Sequence, residues 1–152
     1  MIRDDIKAAT IAAMKGGDKA GTQTLRMVQS AIKNRDIELR TASVQPDDDA
    51  LVTDVLQKMI KQRRESVEMF DKGGRAELAA IEQAEISVIE RILPQQMSED
   101  EAKAAIAALI AETGAASMKD MGRVMALVRE RHTTSIEPAR ASALVKALLS
   151  GA

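Results

Sequence analysis

Leu51-Val52-Thr53-Asp54-Val55-Leu56-Gln57-Lys58-Met59-Ile60-Lys61-Gln62-Arg63-Arg64-Glu65-Ser66-Val67-Glu68-Met69-Phe70-Asp71-Lys72 is the stretch that decides the fold. Its apolar members Val52, Val55, Leu56, Met59, Ile60, Val67 and Phe70 recur at threes and fours, the period of one helix face. Pro46-Asp47-Asp48-Asp49 ahead of it supplies a cap and first-turn acids, which the helix dipole favours. Gly73-Gly74 ends it. The pattern predicts one long helix, and the flanking segments read the same way.

Upstream, a helix runs from about Ile2 to Lys15 and stops at Gly16-Gly17. A second starts near Thr22 and runs to about Arg40, with Leu25, Val28, Ile32 and Leu39 inward, and Thr41 to Gln45 is a loop. Downstream of the glycine pair, Arg75 to Leu93 forms a fourth helix with Leu78, Ile81, Val88, Ile89 and Ile92 inward. Leu93-Pro94 closes this module, since the residue before proline is pushed out of helix. Ser98-Glu99-Asp100-Glu101 is a capping box opening a helix that ends at Thr113-Gly114. Ser117 caps the next, with Met118, Met121, Met125 and Val128 inward, and a last helix follows Pro138. The expectation is an all-α, multihelical chain in two modules. Residues 1–94 hold four helices with a long helical hairpin, and residues 98–152 hold a three-helix module.

Composition agrees with that class. Hydrophobic residues make up 45 % and charged residues 30 %, a globular balance. Phe70 is the single aromatic residue, so the β-favouring rings are nearly absent. There is no cysteine, which excludes disulfides, thiolate nucleophiles and sulfur metal sites. Met1-Ile2-Arg3-Asp4-Asp5 does not read as a signal peptide, and no stretch is apolar for long enough to suggest a membrane span. The expected address is the cytoplasm, with no membrane partner.

The net charge of −1 hides an uneven distribution. Residues 57–75 carry six Lys/Arg against three acids, and 119–146 again six against three. Residues 76–101 carry seven acids against Arg91 alone. Such patchiness bears on partners rather than on fold.

Reactive groups are few. His132 is the only histidine, one turn beyond Val128, and reads as a helix-end residue without the partners a base or metal ligand needs. Thr133-Thr134-Ser135 beside it is a capping loop. No catalytic residue, metal or cofactor site is expected. On the long helix Asp54/Lys58, Lys61/Glu65 and Glu68/Lys72 stand four apart, as solvated pairs do. Arg63 points instead into the apolar stripe, and Glu85 lies equally deep in the fourth helix. In a hairpin turning at Gly73-Gly74 these two face each other, which predicts a structural ion pair. Asp36 also faces inward, but lies too far along for Arg63 to reach.

In Lys119-Asp120-Met121-Gly122-Arg123-Val124-Met125, a mid-helix glycine costs about 1 kcal/mol relative to alanine. Gly122 therefore suggests close approach of a neighbouring helix, or else of a nucleic-acid backbone. With Phe70 the single aromatic ring there is no base-stacking platform, which leaves recognition of structured RNA by charge and shape.

Several motifs resemble the GatB/YqeY family. They are Ser30-Ala31-Ile32-Lys33-Asn34, Ile60-Lys61-Gln62-Arg63-Arg64-Glu65-Ser66, Gly73-Gly74-Arg75, Ala84-Glu85-Ile86, Leu93-Pro94-Gln95-Gln96 and Lys119-Asp120-Met121-Gly122-Arg123-Val124-Met125. The resemblance implies a stand-alone relative of the C-terminal helical region of the tRNA-dependent amidotransferase B subunit. In that family the region is associated with holding tRNA, while ATP activation and amide formation belong to another domain. His132-Thr133-Thr134-Ser135-Ile136-Glu137-Pro138 departs from the family's Gly-Arg-Ala-Asp-Gly-type loop. The reading is an accessory module that binds structured RNA, tRNA foremost, weakly and without catalysis of its own. Its RNA-binding candidates are Lys33, Lys119, Arg123 and Arg129, and aminoacyl-tRNA synthetase or amidotransferase subunits are its possible protein partners. Two alternatives stand beside it. One is a carbon–nitrogen ligase component with glutamine as amido donor, active only in a complex; the other is a helical protein-interaction module.

Overall fold

The computed structural model describes residues 1–151, and every regular element among them is helical. By internal contacts the chain falls into two compact units, Met1–Leu93 and Pro94–Ala152. No helix among the described residues is long and apolar enough to cross a membrane.

The first unit contains α1 (Ile2–Lys15), α2 (Lys19–Glu38), α3 (Asp48–Lys72) and α4 (Ala76–Ile92). Asp18 caps α2 by accepting from the Gly21 amide at 2.9 Å, so α2 begins before Thr22, where the apolar spacing first becomes visible. Thr22 and Thr24 can be buried because their hydroxyls donate back to the carbonyls of Asp18 and Ala20. Asp47 caps α3 through the Ala50 amide. Gly74, at φ 70°, makes the left-handed step that turns α3 into α4.

Ile6, Val28, Ile32, Val52, Leu56, Ile60, Ile86 and Ile89 form the core of this unit. The face α4 presents to it differs from the expected one. Ala79, Ile86 and Ile89 are buried, whereas Ile81 is 57 % exposed. Ile81 stands five residues from Ile86, about 140° round the helix, so a face centred on Ile86 and Ile89 leaves it at the flank. Thr53 is fully buried, and its hydroxyl lacks a hydrogen-bond partner.

A polar clamp fastens α1. The Arg3 guanidinium donates from Nη1 and Nη2 to Asp36 at 2.9 and 2.7 Å. Its Nε lies 2.8 and 2.9 Å from the two oxygens of Asp48. The Ile2 amide donates to Asp49 at 3.0 Å. One planar fork thereby joins the start of α1 to the end of α2 and the start of α3.

The second unit contains α5 (Glu99–Thr113), α6 (Met121–Arg131) and α7 (Pro138–Leu149). The capping box at Ser98 is present, with Ser98 accepting from the Glu101 amide and Glu101 from the Ser98 amide. Gly114, at φ 66°, ends α5 in the left-handed conformation. Ser117 starts a single 3₁₀ turn, Met118–Asp120, rather than α6 itself. Met118 lies on that turn outside the α6 periodicity, and is 42 % exposed instead of inward. The core packs Ile106, Val124, Val128, Ile136, Ala141 and Val145.

The divergent loop after His132 has an internal task. The Ser135 carbonyl accepts from the Met97 amide at 2.9 Å, and the Thr134 carbonyl from Gln96 Nε2 at 2.8 Å. Arg140 Nη1 donates to the Met97 carbonyl at 2.9 Å. The segment leading into α5 is thus tied to the α6–α7 connection.

Candidate nucleic-acid interface

The candidate surface is the outer side of α6. Val124, Met125 and Val128 are buried against α5 and α7, which fixes the rotation of the helix. At about 100° per residue, Gly122, Arg123, Ala126 and Arg129 then fall on the opposite side. All four are exposed, as is Lys119 on the preceding turn. A Cβ built at Gly122 meets no atom within 4 Å. Gly122 is the second residue of α6 and not mid-helix, and the neighbouring helix its glycine suggested is not there, because the buried face of α6 lies on the other side. The Gly122–Ala126 stripe opens outward between cations.

These cations are not equivalent. Arg123 Nη2 donates to Asp120 at 2.7 Å, whereas Lys119 and Arg129 pair with no described residue. Asp120 is held below the usual carboxylate range, first by the Ala116 amide and then by Arg123 and the Ser117 amide. It therefore stays ionised and offsets Arg123. Arg131 is engaged by both oxygens of Glu112, whose own carboxyl this contact pulls downward. Lys33 is exposed on α2 in the first unit, so among the sequence-derived candidates only Arg123 and Arg129 share α6, with Lys119 on the 3₁₀ turn that precedes it. The outer side of α6 and the turn before it carry exposed cations beside bare helix backbone, an arrangement that can contact phosphates without reading bases.

Other sequence-derived positions lie elsewhere. Arg63 Nε donates to Glu85 Oε2 at 2.8 Å, and its Nη1 to the Met59 carbonyl at 3.2 Å. Lys58 pairs with Asp54 and Lys72 with Glu68. Lys61 and Glu65 form no such pair among the described contacts, and the neighbouring Arg64 reaches across to Glu90 instead. His132 is half-buried at the end of α6, and no group of three or more potential metal-ligating side chains occurs among the described residues. The sequence reading missed the Arg3 clamp. The inward-facing Asp36 is its signal in the sequence, but no spacing along the chain links Asp36 to Arg3.

Fold and surface together define an all-α protein with an exposed, cation-bearing helix and two helical units. Residues 3–149 match the YqeY-like protein family, and the chain belongs to that family. It is also similar to proteins named altered inheritance of mitochondria protein 41, mitochondrial. The one from Lachancea thermotolerans is 33 % identical over 113 residues, covering 73 % of this chain and 57 % of the relative. The one from Eremothecium gossypii is 34 % identical over 89 residues, 59 % of this chain and 45 % of the relative. One from Saccharomyces cerevisiae is 33 % identical over 95 residues, 62 % and 48 % of the two chains. The chain spans about half the length of the curated relatives it matches. Their names are mitochondrial, which overturns the cytoplasmic address expected from composition and the first residues. An address is read from a separable segment by its own receptor, so the make-up of a folded domain does not carry it.

Proposed function

We propose that this chain is an accessory module that holds structured RNA, tRNA foremost, beside aminoacyl-tRNA or amidotransferase chemistry carried out by another protein. The observation that supports it is the outer side of α6, where Lys119, Arg123 and Arg129 surround the open Gly122–Ala126 stripe. Gly122, in the first turn of α6, has open space where a Cβ would stand, which leaves room for a phosphate backbone to come close. Cations at this spacing meet phosphates, and a chain with Phe70 as its single aromatic ring matches recognition of shape rather than of unstacked bases. Asp120 and Glu130 beside them keep the affinity modest. The module then acts by raising the local concentration of RNA at its partner.

The test is an electrophoretic shift with total tRNA as salt is varied. Binding should weaken steeply with salt, each phosphate contact contributing roughly 0.9 to the logarithmic slope. Lys119→Gln and Arg129→Gln should lower both affinity and slope. Lys58→Gln and Lys72→Gln, at side chains already paired with Asp54 and Glu68, should do less. No binding even at low salt, with tight binding to a protein partner instead, would establish the interaction-module reading.

A further inference from the structure

The seam between α1 and α2 contains one opposed pair that its neighbours do not resemble. Arg3 faces Asp36, joined by two hydrogen bonds of 2.9 and 2.7 Å. Thr10 faces Gln29, whose Nε2 donates to the threonine hydroxyl at 2.9 Å. Met14 faces Arg26, with Nη2 3.8 Å from the thioether sulfur. Between the first two rungs stand Lys7 and Lys33. Lys7 follows Arg3 by four residues and precedes Thr10 by three; Lys33 precedes Asp36 by three and follows Gln29 by four. The antiparallel register therefore sets two ammonium groups across from each other.

Neither lysine hydrogen-bonds or pairs with any described residue. They flank a pocket of about 170 Å³ lined by Arg3, Ile6, Lys7, Gln29, Ile32, Lys33 and Asp36. Ile6 and Ile32, both buried, form its apolar floor. The one carboxylate in the lining, Asp36, is occupied by the Arg3 fork, which also serves Asp48. Asp4, one turn before Lys7, lies outside that lining and forms no ion pair with either lysine, both of which are exposed. Like charges opposed across a helix seam repel, and a fold whose other rungs are complementary leaves this one open.

We propose that the Lys7–Lys33 rung is an oxyanion site that takes a phosphate group, bridging the two ammoniums above the Ile6–Ile32 floor. Two lysines supply up to six donors on flexible stems, which suits a tetrahedral, highly charged group better than a planar carboxylate. Gln29 is already turned toward Thr10 and rims the pocket on the side away from Asp36. The phosphate is either a free phosphate or a phosphodiester of a nucleic-acid backbone, since the chemistry at the two lysines is the same. The site belongs to the first unit, and its argument does not depend on the α6 surface of the second.

The full chain is melted in inorganic phosphate and in chloride at matched ionic strength. Phosphate should raise the melting temperature by about 3–6 °C once it reaches roughly ten times its dissociation constant. Lys7→Gln and Lys33→Gln should each abolish that rise. In chloride both variants should melt no lower than the parent, because repulsion is relieved, which separates a lost ligand from a damaged fold. Lys33→Arg should keep the response. A gel shift with total tRNA on the same variants identifies the source of the phosphate. Weaker tRNA binding with the α6 cations intact assigns a backbone phosphodiester, and unchanged binding beside a lost phosphate response assigns a free phosphate. Equal melting shifts in parent and both glutamine variants, or no shift in the parent, would overturn the site.

Discussion

Arg63 Nε and Glu85 Oε2 lie 2.8 Å apart between α3 and α4, with side chains only 13 % and 23 % exposed. The pair is set into the seam of the hairpin, and the Met59 carbonyl takes a further guanidinium proton. Removing one member leaves the other charge half-buried and unpartnered. Arg63→Leu or Glu85→Leu alone should each cost about 1–3 kcal/mol, and the double replacement should cost less than either. Urea unfolding of the four proteins as a double-mutant cycle checks this; additive losses would show two independent surface charges.

The Arg3 clamp should make stability fall in acid. The Arg3 hydrogen bond is the main cause holding Asp36 below its ordinary value, and the acid is already ionised in the unfolded chain above about pH 4. Its contribution is therefore full above that point and lost as pH falls through the lower folded value. Unfolding midpoints below pH 4 should drop, and Asp36→Asn should flatten that part of the curve. With Asp36 40 % exposed, the effect should also shrink in high salt.

Thr53 offers a stabilising replacement. Its hydroxyl is buried without a partner, at 0 % exposure, and valine has nearly the same shape. Thr53→Val should raise stability by about 1 kcal/mol, read as a higher urea midpoint at unchanged slope. A loss of stability would mean that the hydroxyl is satisfied in solution.

Gly122→Ala separates folding from binding. No atom waits within 4 Å of the new methyl, so the helix should gain roughly 0.5 kcal/mol, less than at an interior position because Gly122 lies in the first turn. If RNA rests on the bare backbone there, the same methyl should weaken tRNA binding severalfold while the melting temperature rises. Unchanged binding in a stabilised variant would move the contact off this stripe.

The Arg140 contact to the Met97 carbonyl should protect the segment before α5 from proteases. In the intact chain, limited proteolysis should spare residues 95–97, and Arg140→Ala should open them to cutting. Mass spectrometry of the early fragments reads the difference; early cutting in the parent would show that these hydrogen bonds are transient.

Much of this was legible along the chain, because it is decided over one or two turns. The Ser98–Glu101 box, the Asp47 cap, the glycine stops and the stripe of α3 depend on neighbours three or four residues away. Even the opposition of Arg63 and Glu85 follows from counting back from Gly73-Gly74, since a short turn fixes hairpin register. Helical rotation was not legible where two faces competed. Ile81 and Ile86 both belong to apolar periodicities of α4, and only packing against α3 and α2 chose the face with Ala79, Ile86 and Ile89. Rungs between helices that no spacing links, such as Arg3 with Asp36 and Asp48, also waited for tertiary structure. So did the open side of Gly122, because a glycine reports a missing side chain but not what occupies its place. The sequence by itself determined which segments are helical, where they stop and that the rings and thiols of many active sites are missing. Tertiary structure alone decided which polar groups meet across the helices and which cations stay free, because those outcomes depend on rotations and registers that local spacing does not set.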